Sequence, residues 1–102
     1  GQVYVVDADD TISAIDKSNG EINWQQEAFA RRKLSAPLAF SNYVVAGDDE
    51  GYLHVLAQRD GRLVGRRKLG GKGVRTQTVI ADDMLYTLTN SGTLTALKVA
   101  LN

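Results

Sequence analysis

The chain of 102 residues is long enough for one ordinary domain, and its 43% apolar content marks a globular chain and excludes a disordered one. Twelve Lys and Arg balance twelve Asp and Glu, so no net field draws it to nucleic acid or to an anionic membrane surface. The absence of cysteine excludes disulfides, thiolate metal sites and cysteine nucleophiles, and no apolar run approaches the roughly 18 residues of a spanning helix.

Taken in chain order, residues 2 to 27 predict three short strands. The stretch Ser13 to Trp24 begins as a half-buried strand, breaks at Lys17 to Gly20 and restarts toward the single tryptophan. Asn19-Gly20 predicts a two-residue hairpin, because both positions tolerate positive φ. Trp24 then stands on the following strand, and simple alternation puts Ile22 on its side. Burying a tryptophan removes about 150–250 Å² from water, worth at most about 4–6 kcal/mol, which suits a rivet reaching to a neighbouring sheet. Residues 34 to 69 predict four strands: Ser35 to Phe40, Tyr43 to Ala46, Tyr52 to Ala57 and Leu63 to Leu69. Ser41-Asn42, Gly47 to Gly51 and Arg59-Asp60-Gly61 separate them. Pro37 is tolerable only in an edge strand. Residues 74 to 99 predict three more strands, and nowhere does an apolar helical stripe persist.

The three segments are copies of one unit. Asp10 to Ile15 falls on Gly51 to Leu56 after a step of 41 residues, and on Gly92 to Leu97 after a second equal step. A four-stranded unit of that period is a β-propeller blade, so the fold class is all-β, about two and a half antiparallel blades. The first segment supplies strands B to D of a blade, the second a complete blade, the third strands A to C of another.

Chemical motifs fail one by one. Asp7-Ala8-Asp9-Asp10 suggests a calcium loop, but Ile12 and Ser18 stand where such a loop needs Gly and Glu. Asp48-Asp49-Glu50-Gly51, one repeat later, reads as a solvated hairpin. Gly70-Gly71-Lys72-Gly73 lacks the first glycine and the hydroxyl residue of a phosphate loop. His54 aligns with Ser13 and Thr95, which fits a satisfied or exposed strand residue better than a ligand or base. Arg31-Arg32-Lys33 and Arg66-Arg67-Lys68 have no interleaved aromatics and read as solvated faces; their functional alternative is an electrostatic contact that speeds association with a protein. No catalytic, cofactor-binding or metal-binding residue is expected.

Ala14-Ile15-Asp16-Lys17-Ser18-Asn19-Gly20-Glu21-Ile22-Asn23-Trp24 resembles the tryptophan-docking motif of the quinoprotein-type propellers, Ala-x-Asp-x-x-Thr-Gly-x-x-x-Trp, departing only at Asn19. The resemblance implies a structural blade-docking motif of Ala14, Asp16, Gly20 and Trp24. The second copy keeps Gly61 but has Val55, Ala57 and Gly65 at the other places. Leu34 to Leu56, above all Val44 to Asp48 and Gly51-Tyr52-Leu53-His54, is similar to the C-terminal blades of the BamB family, propeller lipoproteins of the outer-membrane β-barrel assembly (BAM) machinery. That resemblance implies an eight-bladed ring, whose last blade is commonly completed by an N-terminal strand. Gly1 then reads as a truncation point and Asn102 as a native C-terminus, and such a piece is expected to self-associate.

The family's role would be that of a non-catalytic, cofactor-free scaffold at the periplasmic face of the bacterial outer membrane, lipid-anchored through an N-terminal cysteine outside this chain. Its implied partners are the periplasmic domains of BamA, other BAM subunits and unfolded outer-membrane protein substrates. No BamA-contacting residue carries over, because those loops lie in earlier blades. Two alternatives stay open: the C-terminal part of a quinone-dependent dehydrogenase, which shares the docking motif, and a propeller interaction domain of another pathway.

Overall fold

The computed structural model describes residues 1–68, 78–81, 84–88 and 94–98. The described chain contains β1 (Gln2–Val6), β2 (Ile12–Asp16), β3 (Ile22–Gln26), β4 (Leu38–Phe40), β5 (Tyr43–Gly47), β6 (Tyr52–Ala57), β7 (Leu63–Lys68), β8 (Thr78–Ala81), β9 (Met84–Leu88) and β10 (Leu94–Lys98). They form three antiparallel meanders with orders β1-β2-β3, β4-β5-β6-β7 and β8-β9-β10. Within each meander sequential neighbours pair, as short connections dictate. Gly70 to Gly73 lies outside the described residues.

The apolar faces explain how the sheets stack. Ile12, Ala14 and Trp24 of the first sheet share a buried cluster with Val44, Ala46 and Leu56 of the second, closed by Phe29 from the connection between them. The opposite face of the second sheet puts Phe40, Val45 and Leu53 against Leu85 of the third. Alternate residues of β5 and β6 therefore serve different interfaces, which is why both faces of these strands are apolar.

Three local expectations are corrected. The turn after β2 is not a two-residue hairpin. Asp16 N–H donates to Glu21 O at 2.8 Å and Gly20 N–H to Asp16 O at 2.9 Å, so four residues turn the chain and only Gly20 takes positive φ, at 74°. Ile22 and Trp24 do not share a face. Trp24 pairs with Ala14 and Ile22 with Ile15, which leaves Asn23 as an extra residue in a β-bulge. Since Ala14 and Ile15 point to opposite sides of β2, so do their partners: Trp24 is buried and Ile22 is 56% exposed. The bulge recurs in β7, where Val55 pairs with Gly65, Leu56 with Leu63, and Val64 is the extra residue.

The first strand of the second sheet starts at Leu38 rather than Ser35. Pro37 has no N–H to give to a ladder, and it restricts the residue before it. Ser35 compensates: its N–H donates to Gly47 O at 2.8 Å, and its hydroxyl accepts Gly47 N–H at 2.9 Å.

Candidate functional site

The first sheet is locked to the second through the turn between β6 and β7. This turn repeats the construction of the Asp16–Glu21 turn: Ala57 N–H donates to Arg62 O, Gly61 N–H donates to Ala57 O at 2.9 Å, and Gly61 has φ 76°. The Trp24 ring lies on the α-carbon of Gly61 so closely that a β-carbon there would fall inside the ring. Trp24 Nε1–H donates to Gln58 O at 2.8 Å, Gln2 Nε2–H donates to the same oxygen at 2.7 Å, and Gln26 Nε2–H donates to Gly61 O at 2.9 Å. Tyr4 backs the indole at 6.0 Å between ring centroids.

Gln58 ties this turn to its own sheet as well. Its side-chain amide donates to the carbonyls of Ser41 and Tyr43, both at 3.0 Å. The sequence reading missed Gln58, because its contribution to Trp24 is a backbone carbonyl and carries no residue-type signal. Gly61 had a signal, its alignment with Gly20.

Of the four motif residues, Ala14 and Trp24 meet as cross-strand partners, while Asp16 and Gly20 build the turn beyond β2. Asp16 accepts the Ser18 hydroxyl and the Ser18 N–H, the latter at 2.8 Å. Those two bonds, the hydroxyl's first, hold its carboxyl below the usual carboxylate range. Trp24 makes its contact on Gly61, not on Gly20, and no described atom lies within 4 Å of where a Gly20 β-carbon would stand.

A second cluster joins the sheets from the opposite end. Asp48 is fully buried, which corrects the solvated-hairpin reading. Its Oδ1 accepts the N–H groups of Glu50 (2.9 Å) and Tyr52 (3.0 Å), and its Oδ2 meets His54 Nε2 at 2.6 Å and Arg32 Nη1 at 3.4 Å. Burial alone would raise the Asp48 carboxyl, but the His54 bond, the two amides and the nearby imidazole together hold it below the usual range. His54 is itself 2% exposed and carries Phe29 against its ring at 4.5 Å. Arg32, read as part of a solvated triplet, thus spends part of its charge on a buried acid.

Asp7 makes the same turn in the first sheet, with its Oδ1 accepting Asp9 and Thr11 N–H, but Ser13 replaces the imidazole there. Asp10 supplies one more tether: its carboxylate accepts Leu34 N–H at 3.0 Å and Lys33 N–H at 3.2 Å. Among the described residues no three His, Asp or Glu side chains converge on a possible cation position. The geometry offers docking contacts between neighbouring sheets, and the Asp48–His54 pair lies buried beside one of them.

A family model described as outer membrane protein assembly factor BamB matches residues 1–101. The chain belongs to the BamB family. BamB of Pseudomonas aeruginosa is 40% identical over 99 residues, covering 97% of this chain and 26% of that protein. BamB of Escherichia coli K12 is 34% identical over 93 residues, covering 91% and 24% respectively. The crystal structure of BamB from Moraxella catarrhalis superposes with a TM-score of 0.89 at 22% identity, over 96% of this chain and 30% of that one. The chain thus spans about a quarter of the length of the curated relatives it matches. The likeness in structure makes the three stacked meanders blades of a β-propeller with the quinoprotein-type repeat.

Proposed function

We propose that the chain serves in an assembly factor for outer-membrane β-barrel proteins, as a non-catalytic scaffold on the periplasmic side of the outer membrane. The observation that carries this reading is the BamB family match along residues 1–101, with relatives of 34–40% identity named as outer membrane protein assembly factors. The partners in this reading are the BAM complex, through the periplasmic domains of BamA, and unfolded outer-membrane substrates. Ala14, Asp16, Gly20 and Trp24 act within it as a structural blade-docking motif that holds the first blade to the second, so that loops stay at fixed spacings for a partner domain.

The mechanism is non-covalent. Rigid stacked sheets hold loops in place, and a partner binds without paying to order them. The test is retention of purified BamA periplasmic domains on the immobilised full-length protein. Saturable retention supports the reading; no retention, together with quinone-dependent oxidation of alcohols or sugars, would replace it with the dehydrogenase alternative.

A further inference from the structure

A cleft of about 370 Å³ opens between the connection that carries Phe29 and Arg32 and the strand β7. Its size is within the range of ligand-binding clefts. Phe29, Leu63 and Val64 supply apolar wall, while Arg32, His54 and Arg66 supply polar groups; among the described residues no carboxylate is part of the lining, though Arg32 is shared with Asp48 at 3.4 Å and Glu50 at 3.9 Å. Neighbouring strand residues normally face opposite sides, but the bulge at Val64 lets both Leu63 and Val64 reach the same cleft. His54 is almost fully buried with Nε2 committed to Asp48, and its Nδ1 has no hydrogen-bond partner among the described residues.

The cleft is continuous with an open strand edge. β7 is the outermost strand of its sheet, no described strand pairs with its far side, and all six of its residues are exposed. Arg66 pairs across from His54 and Lys68 from Tyr52, so both cations stand on the cleft face, each about 4.8–4.9 Å from the Tyr52 ring centre. The ring holds them in place without neutralising them. An edge that presents unpaired amides and carbonyls, two fixed cations and an apolar cleft in one line is complementary to one kind of occupant.

We propose that β7 and this cleft form a docking site for an extended acidic polypeptide segment of a partner. The segment adds a strand to β7, sets two carboxylates spaced two residues apart against Arg66 and Lys68, and places an apolar side chain between Phe29, Leu63 and Val64. Its sequence signature is acid-x-acid-x-apolar, the period of a strand with one face on the site. The site stands on its own chemistry and does not depend on which machinery the protein serves.

The test uses the intact protein and a fluorescein-labelled peptide, acetyl-Thr-Glu-Thr-Glu-Thr-Leu-Thr-amide, followed by anisotropy and by hydrogen exchange. Saturable binding should slow exchange across Leu63–Lys68. It should weaken about tenfold or more in the doubly substituted Arg66→Glu, Lys68→Glu protein, and with a peptide whose two Glu are replaced by Lys. A peptide with Pro in place of the Thr between its two Glu should also bind weakly, since it cannot complete a ladder. Binding unaffected by these changes, or no binding, would overturn the proposal and leave the basic strand as a guard against edge-to-edge aggregation. Capture on phosphatidylglycerol vesicles as strong as that of the peptide would overturn it too, in favour of a plain anion-binding patch.

Discussion

The Trp24 ring, on the first sheet, occupies the space that any side chain on Gly61 would need in the β6–β7 turn of the second. Each therefore constrains the other. Trp24→Ala should cost about 3–5 kcal/mol, the range for removing a large buried aromatic. Gly61→Ala should cost about 2–4 kcal/mol, from overlap with the ring and from a β-carbon at φ 76°. In the double variant the overlap is gone, so Gly61→Ala should add only about 1 kcal/mol. Denaturant unfolding of the four proteins measures the coupling; strictly additive losses would mean that the ring and the glycine do not meet.

The buried pair Asp48 and His54 should behave as a unit. His54→Ser reproduces the side chain that the first sheet carries at Ser13, yet it should destabilise by about 3 kcal/mol, because it strips a buried carboxylate of its closest partner. Asp48→Ala should cost a similar amount by leaving the Glu50 and Tyr52 amides and the imidazole unpaired. The double variant should lose much less than the sum, again read from unfolding midpoints.

Acid should weaken the fold partly through Asp48. Its folded carboxyl titrates below the unfolded value of about 4, so its contribution is fully present above that value and is lost as pH falls through the folded one. Urea midpoints between pH 7 and 3 should drop more steeply for the parent protein than for Asp48→Asn, which has no such proton to bind. Parallel acid limbs would remove Asp48 from the explanation.

Asp10 sits at φ 61°, where the repeat has Gly51 and Gly92, and its carboxylate holds the connection to the second sheet. Asp10→Ala should cost about 2 kcal/mol, losing two accepted hydrogen bonds while keeping a β-carbon at left-handed φ. Asp10→Gly loses the same bonds but fits the backbone, so it should be milder by about 1 kcal/mol. Thermal unfolding of both variants checks the order.

The stacking of sheets was legible because it depends on periodicity: the 41-residue repeat and the apolar residues on both faces of strands such as β6 imply neighbours on both sides. Local geometry was less legible. A bulge at Asn23 or Val64 is a mismatch between two strands, and nothing in either strand alone marks it. The four-residue turn at Lys17 to Gly20 was misread because Asn-Gly supports more than one turn, and the Asp16 carboxylate accepting Ser18 decides between them. The burial of Asp48 escaped because three contacts from its own hairpin and one from the distant Arg32 make an acidic turn residue an interior one. Gln58 acts through its carbonyl, which every residue possesses.

The most direct test of the assembly-factor reading is the level of folded β-barrel proteins in the outer membrane of cells that lack the full-length protein, assayed by their resistance to unfolding in unheated detergent. Folded barrels should fall in those cells and be restored by the parent gene, but only partly by one carrying Trp24→Ala. Unchanged barrel levels, with loss of a periplasmic quinone-dependent dehydrogenase activity instead, would contradict that reading.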